Sequence, residues 1–117
     1  MLPEERDAGY LWRMRREARD AALLAEDLTL DELKSSMRDQ RAIAHAVEQL
    51  GEAAARVSPE FCTRHPEIPW RQIVGARNRL AHDYERIDWD IIWKIVRESI
   101  PGLLDSLDAI IPPTPEE

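Results

Sequence analysis

Ile43, Val47, Leu50, Ala54 and Val57 recur at alternating steps of four and three. That spacing gathers all five on one side of an α-helix but scatters them over both faces of a strand. A chain organised around such a repeat folds by burying helical stripes against one another. Leu11, Met14, Ala18, Ala21, Ala25 and Leu28 form a second stripe between Tyr10 and Leu28, and a content of only four glycines argues against a loop-rich or β-rich design. The expected fold is all-α.

Punctuation residues divide the chain further. Thr29 followed by Glu32 has the form of a capping box, with Leu28 and Leu33 placed to close over it as a hydrophobic staple, so a new helix is expected there. Ser58-Pro59 reads as an N-cap with proline at the first helical position of a short turn, and His65-Pro66 and Ile68-Pro69 break the chain again. Pro69 can open a third main helix carrying Trp70, Ile73, Val74, Ala76, Leu80 and Ala81. Asp88 is a natural N-cap for a fourth, with Ile87 and Ile92 as its staple and Pro101 predicting a kink inside it. The expectation is a single domain over 1–111, a bundle of four main helices with a short extra helical turn. Residues 112–117, proline-rich and acidic, read as a flexible tail.

A length of 117 residues with 44% hydrophobic and 33% charged content suits one folded domain, small enough for a second copy to help stabilise it. Acidic and basic residues near the start, and the lack of a long apolar run, point to a cytoplasmic protein without a membrane span. One cysteine and three histidines offer no cluster at zinc-ligand spacing, so neither a metal nor a cofactor is expected. A net charge of −7 is the wrong sign for holding nucleic acid by bulk electrostatics, so any such contact must be local. Two stretches run against the trend. Arg13, Arg15, Arg16 and Arg19 are interleaved with Glu17 and Asp20 and read as a solvated helix face. Arg64, Arg71, Arg77 and Arg79 precede His82 with only Glu67 opposing them.

The second stretch ends in Arg77-Asn78-Arg79-Leu80-Ala81-His82-Asp83-Tyr84. On a regular helix Asn78 and His82 share a face and Arg77 and Tyr84 nearly coincide two turns apart, while Arg77 and His82 diverge by roughly 140°. The latter pair can meet one ligand only if the helix ends or bends near Ala81, or if two copies pack together. A two-fold pairing would present Arg77, Arg79 and His82 twice in a shared cleft. Arginine matches phosphate oxygens with forked donors, histidine exchanges a proton near neutrality, and asparagine can orient either an imidazole or a substrate hydroxyl. This set suits attack of an RNA 2′-hydroxyl on its neighbouring phosphorus, with His82 as base and Arg77 meeting the developing charge. The same residue types also fit a C-terminal charge cap, a hydrogen-bonded anchor and a core-edge aromatic. His45 and His65 read as structural or solvated, and Trp70, Trp89 and Trp93 as core or dimer seam rather than base-stacking platforms.

Arg77-Asn78 with His82-x-Tyr84 resembles the Arg-x4-His-x-Tyr signature of HepT-type toxins in the HEPN superfamily. Glu48-Gln49-Leu50-Gly51-Glu52-Ala53, Ile68-Pro69-Trp70, Ile73-Val74-Gly75, and Ile87-Asp88 with Trp93 are similar to the same family, so the likeness runs from about Tyr10 to Ile111. Ala76 stands where the family often has a larger apolar residue. The resemblance implies a homodimeric HEPN-like bundle acting as a metal-independent endoribonuclease toxin. Its site would take Arg77 and His82 from both subunits, with Asn78 in support and Arg79 as a phosphate contact. The resemblance further implies an MntA-like minimal nucleotidyltransferase antitoxin that transfers AMP to Tyr84. The alternative is a non-catalytic helical partner of a nucleotidyltransferase, and a blander one is a structural helical dimer without chemistry.

Overall fold

The structure, a computed structural model, describes residues 3–113; the part of the expected tail at 114–117 lies outside them. The described residues form seven α-helices, with no strand among them. These are α1 (Pro3–Ala25), α2 (Leu30–Ser35), α3 (Met37–Arg56), α4 (Pro59–Arg64), α5 (Trp70–His82), α6 (Trp89–Lys94) and α7 (Ile100–Ile110). A 3₁₀ turn (Tyr84–Arg86) precedes α6, and a π-helical turn (Ile95–Ser99) joins α6 to α7.

The two sequence stripes become the main contact of the molecule. Leu11, Met14, Ala18, Ala21 and Ala25 are buried on α1, and the small alanines let α1 run close along α3. Helix α3 is central: Ile43, Ala44, Ala46, Val47, Leu50, Ala53 and Ala54 are buried, a wider band than one stripe, because α1 and α5 both pack on it. Each fully buried leucine or isoleucine in this core, such as Leu11, Ile43, Leu80 or Leu107, contributes about 2 kcal/mol of apolar transfer.

Several caps lie where the sequence placed them. The Glu32 N–H donates to Thr29 Oγ1 at 3.1 Å and the Thr29 N–H to Glu32 Oε1 at 3.0 Å, closing the capping box. That box starts only the short α2. The chain breaks at Ser36, whose hydroxyl accepts from the Asp39 N–H at 3.1 Å and starts α3. Ser58 caps α4 through Phe61 N–H and is itself held by Asp7 of α1, to which its N–H and hydroxyl donate at 2.9 and 2.6 Å. Asp88 caps α6 by accepting from Asp90 N–H.

Three details differ from the sequence reading. Helix α1 is already formed at Pro3, seven residues before Tyr10. The extra turn expected at Ser58-Pro59 is α4, and there are two further short elements: α2, where the helix expected from Thr29 is cut short, and the 3₁₀ turn. The irregularity expected at Pro101 takes the form of the π-helical turn before it, where the Ile100 N–H reaches back to Ile95 O. Pro101 has no N–H to give the preceding turn, and widening that turn accommodates the lost bond. Beyond it, Ile100, Leu103 and Leu107 return to the core against α1. Trp12 donates to Pro112 O at 2.7 Å, tying the chain after α7 to α1. Among the described residues no helix is long and apolar enough to cross a membrane.

Candidate active site

Helix α5 lies on α3 through Ile73, Ala76 and Leu80, all buried. Gly51 of α3 lies directly against α5. A Cβ built there would stand 2.2 Å from Arg77 Cβ and 3.0 Å from the Ile73 carbonyl oxygen, so glycine is what permits this crossing. The consequence for the site is that the base of the Arg77 side chain sits on an unyielding contact. Gly51→Ala is expected to force the helices apart and lower stability by about 2 kcal/mol or more. A thermal unfolding midpoint equal to that of the parent would contradict the close crossing.

From that base the Arg77 guanidinium makes two hydrogen bonds. Nη2 donates to Glu52 Oε2 at 2.6 Å and Nη1 to Asn78 Oδ1 at 2.7 Å. The other Glu52 oxygen accepts from Nε and Nη2 of Arg56 at 3.2 and 3.1 Å. Arg77, and after it Arg56, hold the Glu52 carboxyl below its ordinary value. The sign follows from the ionised form being the bonded one: the link to Arg77 is present through neutral pH and is lost only as pH falls through that lowered value.

Helix α5 continues without interruption to His82, with Asp83 as its C-cap. His82 is exposed, with no hydrogen bond or ion pair among the described residues. A helix unbroken between Arg77 and His82 keeps their side chains roughly 140° apart, so one chain does not bring them together. Asn78 is turned to Arg77 instead of to His82. Arg79, two residues from Arg77, projects to the other side and lines a cleft of about 200 Å³ with Asp83, Arg86 and Ile91.

The expected coincidence of Arg77 and Tyr84 is corrected by the end of the helix. Tyr84 lies in the 3₁₀ turn, where helical phase no longer applies. Its ring meets Trp89 edge-on with centroids 6.0 Å apart, and the Arg41 guanidinium of α3 stands 5.4 Å above it. Tyr84 Oη is buried without a hydrogen-bond partner.

Sequence reasoning passed over the roles of Glu52 and Arg41. Glu52 precedes Arg56 by four residues, a spacing that signals a helical ion pair, yet only the crossing at Gly51 brings Arg77 to it. Nothing local marks Arg41 as a neighbour of Tyr84. His65 bonds to Glu67 at 3.0 Å and its carbonyl accepts from Trp70 Nε1 at 3.0 Å, a corner-forming role remote from chemistry. Among the described residues no three His, Cys, Asp or Glu side chains are grouped to hold a metal ion.

The profile of the family described as "Ribonuclease HepT-like" matches residues 14–110, a span that contains α3, α5 and the whole Arg77–Tyr84 segment. The chain is similar to "Putative RNase MJ0127" of Methanocaldococcus jannaschii, 27% identical over 94% of this chain and 91% of that one. A second protein of that organism, "Putative RNase MJ1380", is 30% identical over 86% and 93%. "Probable ribonuclease HepT" of Thermococcus cleftensis is 35% identical over 66% of this chain and 70% of its own. No solved structure matches.

Proposed function

We propose, from the premise that this chain belongs to the Ribonuclease HepT-like family, that it is an endoribonuclease toxin of the cytoplasm whose site combines Arg77 of one copy with His82 of another. The observation that carries the reading is the pairing of an anchored Arg77 with an unengaged His82 on one continuous helix. Their divergence within a chain supports a homodimer in which each copy supplies half of the chemistry. Glu52 and Asn78 occupy two of the guanidinium donors and leave others for a phosphate oxygen.

The reaction this set supports is an internal transfer. Neutral His82 takes the proton of the 2′-hydroxyl, and the freed oxygen attacks the adjacent phosphorus. The bond from phosphorus to the 5′ oxygen breaks, giving a 2′,3′-cyclic phosphate and a 5′-hydroxyl that takes its proton from solvent. The imidazolium returns its own proton to solvent, and Arg77 meets the charge on the non-bridging oxygens. Arg79, exposed at the end of the same helix, supplies a further phosphate contact. Regulation is assigned to Tyr84: a cognate MntA-like nucleotidyltransferase antitoxin transfers AMP from ATP to its hydroxyl, the Oη–Pα bond forming as the Pα–O–Pβ bond breaks, with pyrophosphate leaving and the phenol proton passing to solvent. The adduct would set a bulky anion two residues from His82, obstructing the phosphate path by size and like charge.

The test is incubation of the purified protein with RNA in excess chelator. Cleavage to 2′,3′-cyclic phosphate ends is expected, and loss of all cutting on chelation would contradict this route. The net charge of −7 favours a second reading, in which the chain is a non-catalytic helical partner of a nucleotidyltransferase. Tight complex formation without RNA cleavage under any condition would select that reading.

A further inference from the structure

Glu52 also forms one wall of a second open cleft, of about 470 Å³, between α1 and α3, whose other lining residues are Tyr10, Arg13, Gln49 and Arg56. Its volume falls in the range of small-ligand sites. Arg56 and Arg77 both bond to the Glu52 carboxylate and Arg13 lines the same cleft, so three guanidinium groups stand against one carboxylate among these residues in a chain of net charge −7.

Arg13 stands apart from the arginines that precede and follow it on α1. Arg15 and Arg19 both reach Asp108, and Arg16 reaches Glu17, whereas Arg13 donates to the neutral amide oxygen of Gln49. Its charge is therefore not offset by a carboxylate in any described ion pair, and its Nε is buried without a hydrogen-bond partner. The reading of this group as a solvated face holds for Arg16, Arg19 and Asp20, which are exposed, but not for Arg15 and Glu17, which are buried, nor for Arg13, which is half-buried. Tyr10 adds a partly buried aromatic ring beside Arg56, a surface on which a base can stack.

We infer that this cleft is a single-stranded RNA subsite, in which Arg13 and Arg56 hold a backbone phosphate next to the one presented to Arg77, and Tyr10 stacks a neighbouring base. The inference rests on the ribonuclease reading for its substrate and extends that site across α3 to α1. Arg56 and Arg77 grip opposite oxygens of Glu52, so a strand that meets Arg77 passes Arg56 next. An adenylate on Tyr84 is a poor alternative source for this phosphate. Tyr84 lies under Arg41, and Arg41 and Arg56 are separated by about 22 Å along α3 at the helical rise.

The experiment measures binding, separately from cutting, by anisotropy of a fluorescein-labelled single-stranded RNA of about a dozen nucleotides over a range of salt. The protein carries His82→Ala to prevent cleavage. Adding Arg13→Gln is expected to weaken binding about tenfold and to make the slope of log affinity against log salt shallower by about 0.7, the value of one released phosphate contact. Arg56→Gln should do the same, and Arg13→Lys, which keeps the charge, should keep the slope. Unchanged affinity and slope in both Gln variants would overturn the inference, as would equal losses in Arg13→Lys and Arg13→Gln, which would mark damage to packing. Failure of the nuclease reading is distinguishable: parent protein that cuts no RNA while Arg13-dependent binding persists would remove the reaction and keep the subsite.

Discussion

His82→Ala is expected to reduce RNA cleavage by roughly 10²–10⁴-fold, the usual contribution of a general base, while leaving the helical fold and its stability nearly unchanged. The contrast follows from the position of the residue. His82 is exposed at the last position of α5, with no hydrogen bond or ion pair among the described residues, so truncating it removes a proton acceptor and little packing. Arg77→Ala is expected to lose activity on a similar scale and to disturb more structure. It keeps the Cβ that meets Gly51 but removes the Cγ beside it, and it leaves Glu52 with Arg56 alone. Arg77→Lys should not restore activity, because an ammonium cannot hold Glu52 and Asn78 as a planar fork and still face a phosphate. Single-turnover cleavage assays with thermal unfolding of each variant check these outcomes, and full activity in His82→Ala would remove the proposed base.

On the proposed regulation, Tyr84→Phe is expected to take up no AMP when co-expressed with a cognate nucleotidyltransferase, so that growth arrest persists in its presence. The same variant should be as stable as the parent, or more stable by up to about 1 kcal/mol. Tyr84 Oη is buried without a partner, so its removal forfeits no hydrogen bond and relieves a desolvated hydroxyl. The ring contacts with Trp89 and Arg41 remain available to phenylalanine. Burial of Oη bears on the proposed modification: the hydroxyl would have to turn outward to receive AMP, and the adduct would keep it there. Intact mass and adduct mapping decide the point. An adduct retained by Tyr84→Phe would move the switch to another residue.

The helices were readable because their signals are local. The stripes of α1 and α3 need only a count of threes and fours, and Thr29, Ser58 and Asp88 mark helix starts by hydrogen bonds within a few residues. The break at Ser36 was missed because one serine inside a helix-compatible stretch carries a weak signal, and its use as a cap becomes clear only in the hydrogen bond from Asp39 N–H. The segment Arg77–Tyr84 stood out by residue type, but its arrangement did not, because that depends on contacts between distant parts of the chain. Gly51 could be quoted as part of a resemblance without its reason, which is the approach of α5. Glu52 meets Arg77 across 25 positions, and Arg41 covers Tyr84 from a different helix. Helical phase applied to Tyr84 misled because the helix stops at His82, a boundary set by the turn that follows.

The central claim, that Arg77 and His82 act across two copies of the chain, is tested most directly by mixing two inactive proteins, Arg77→Ala and His82→Ala, under conditions that allow subunits to exchange. A mixed dimer then holds one composite site with both residues intact and one with neither. Recovery of about a quarter of the parent activity is expected at equal concentrations, since half of the dimers are mixed and each has one working site. A mixture that exchanges subunits yet remains as inactive as either variant alone would contradict the account.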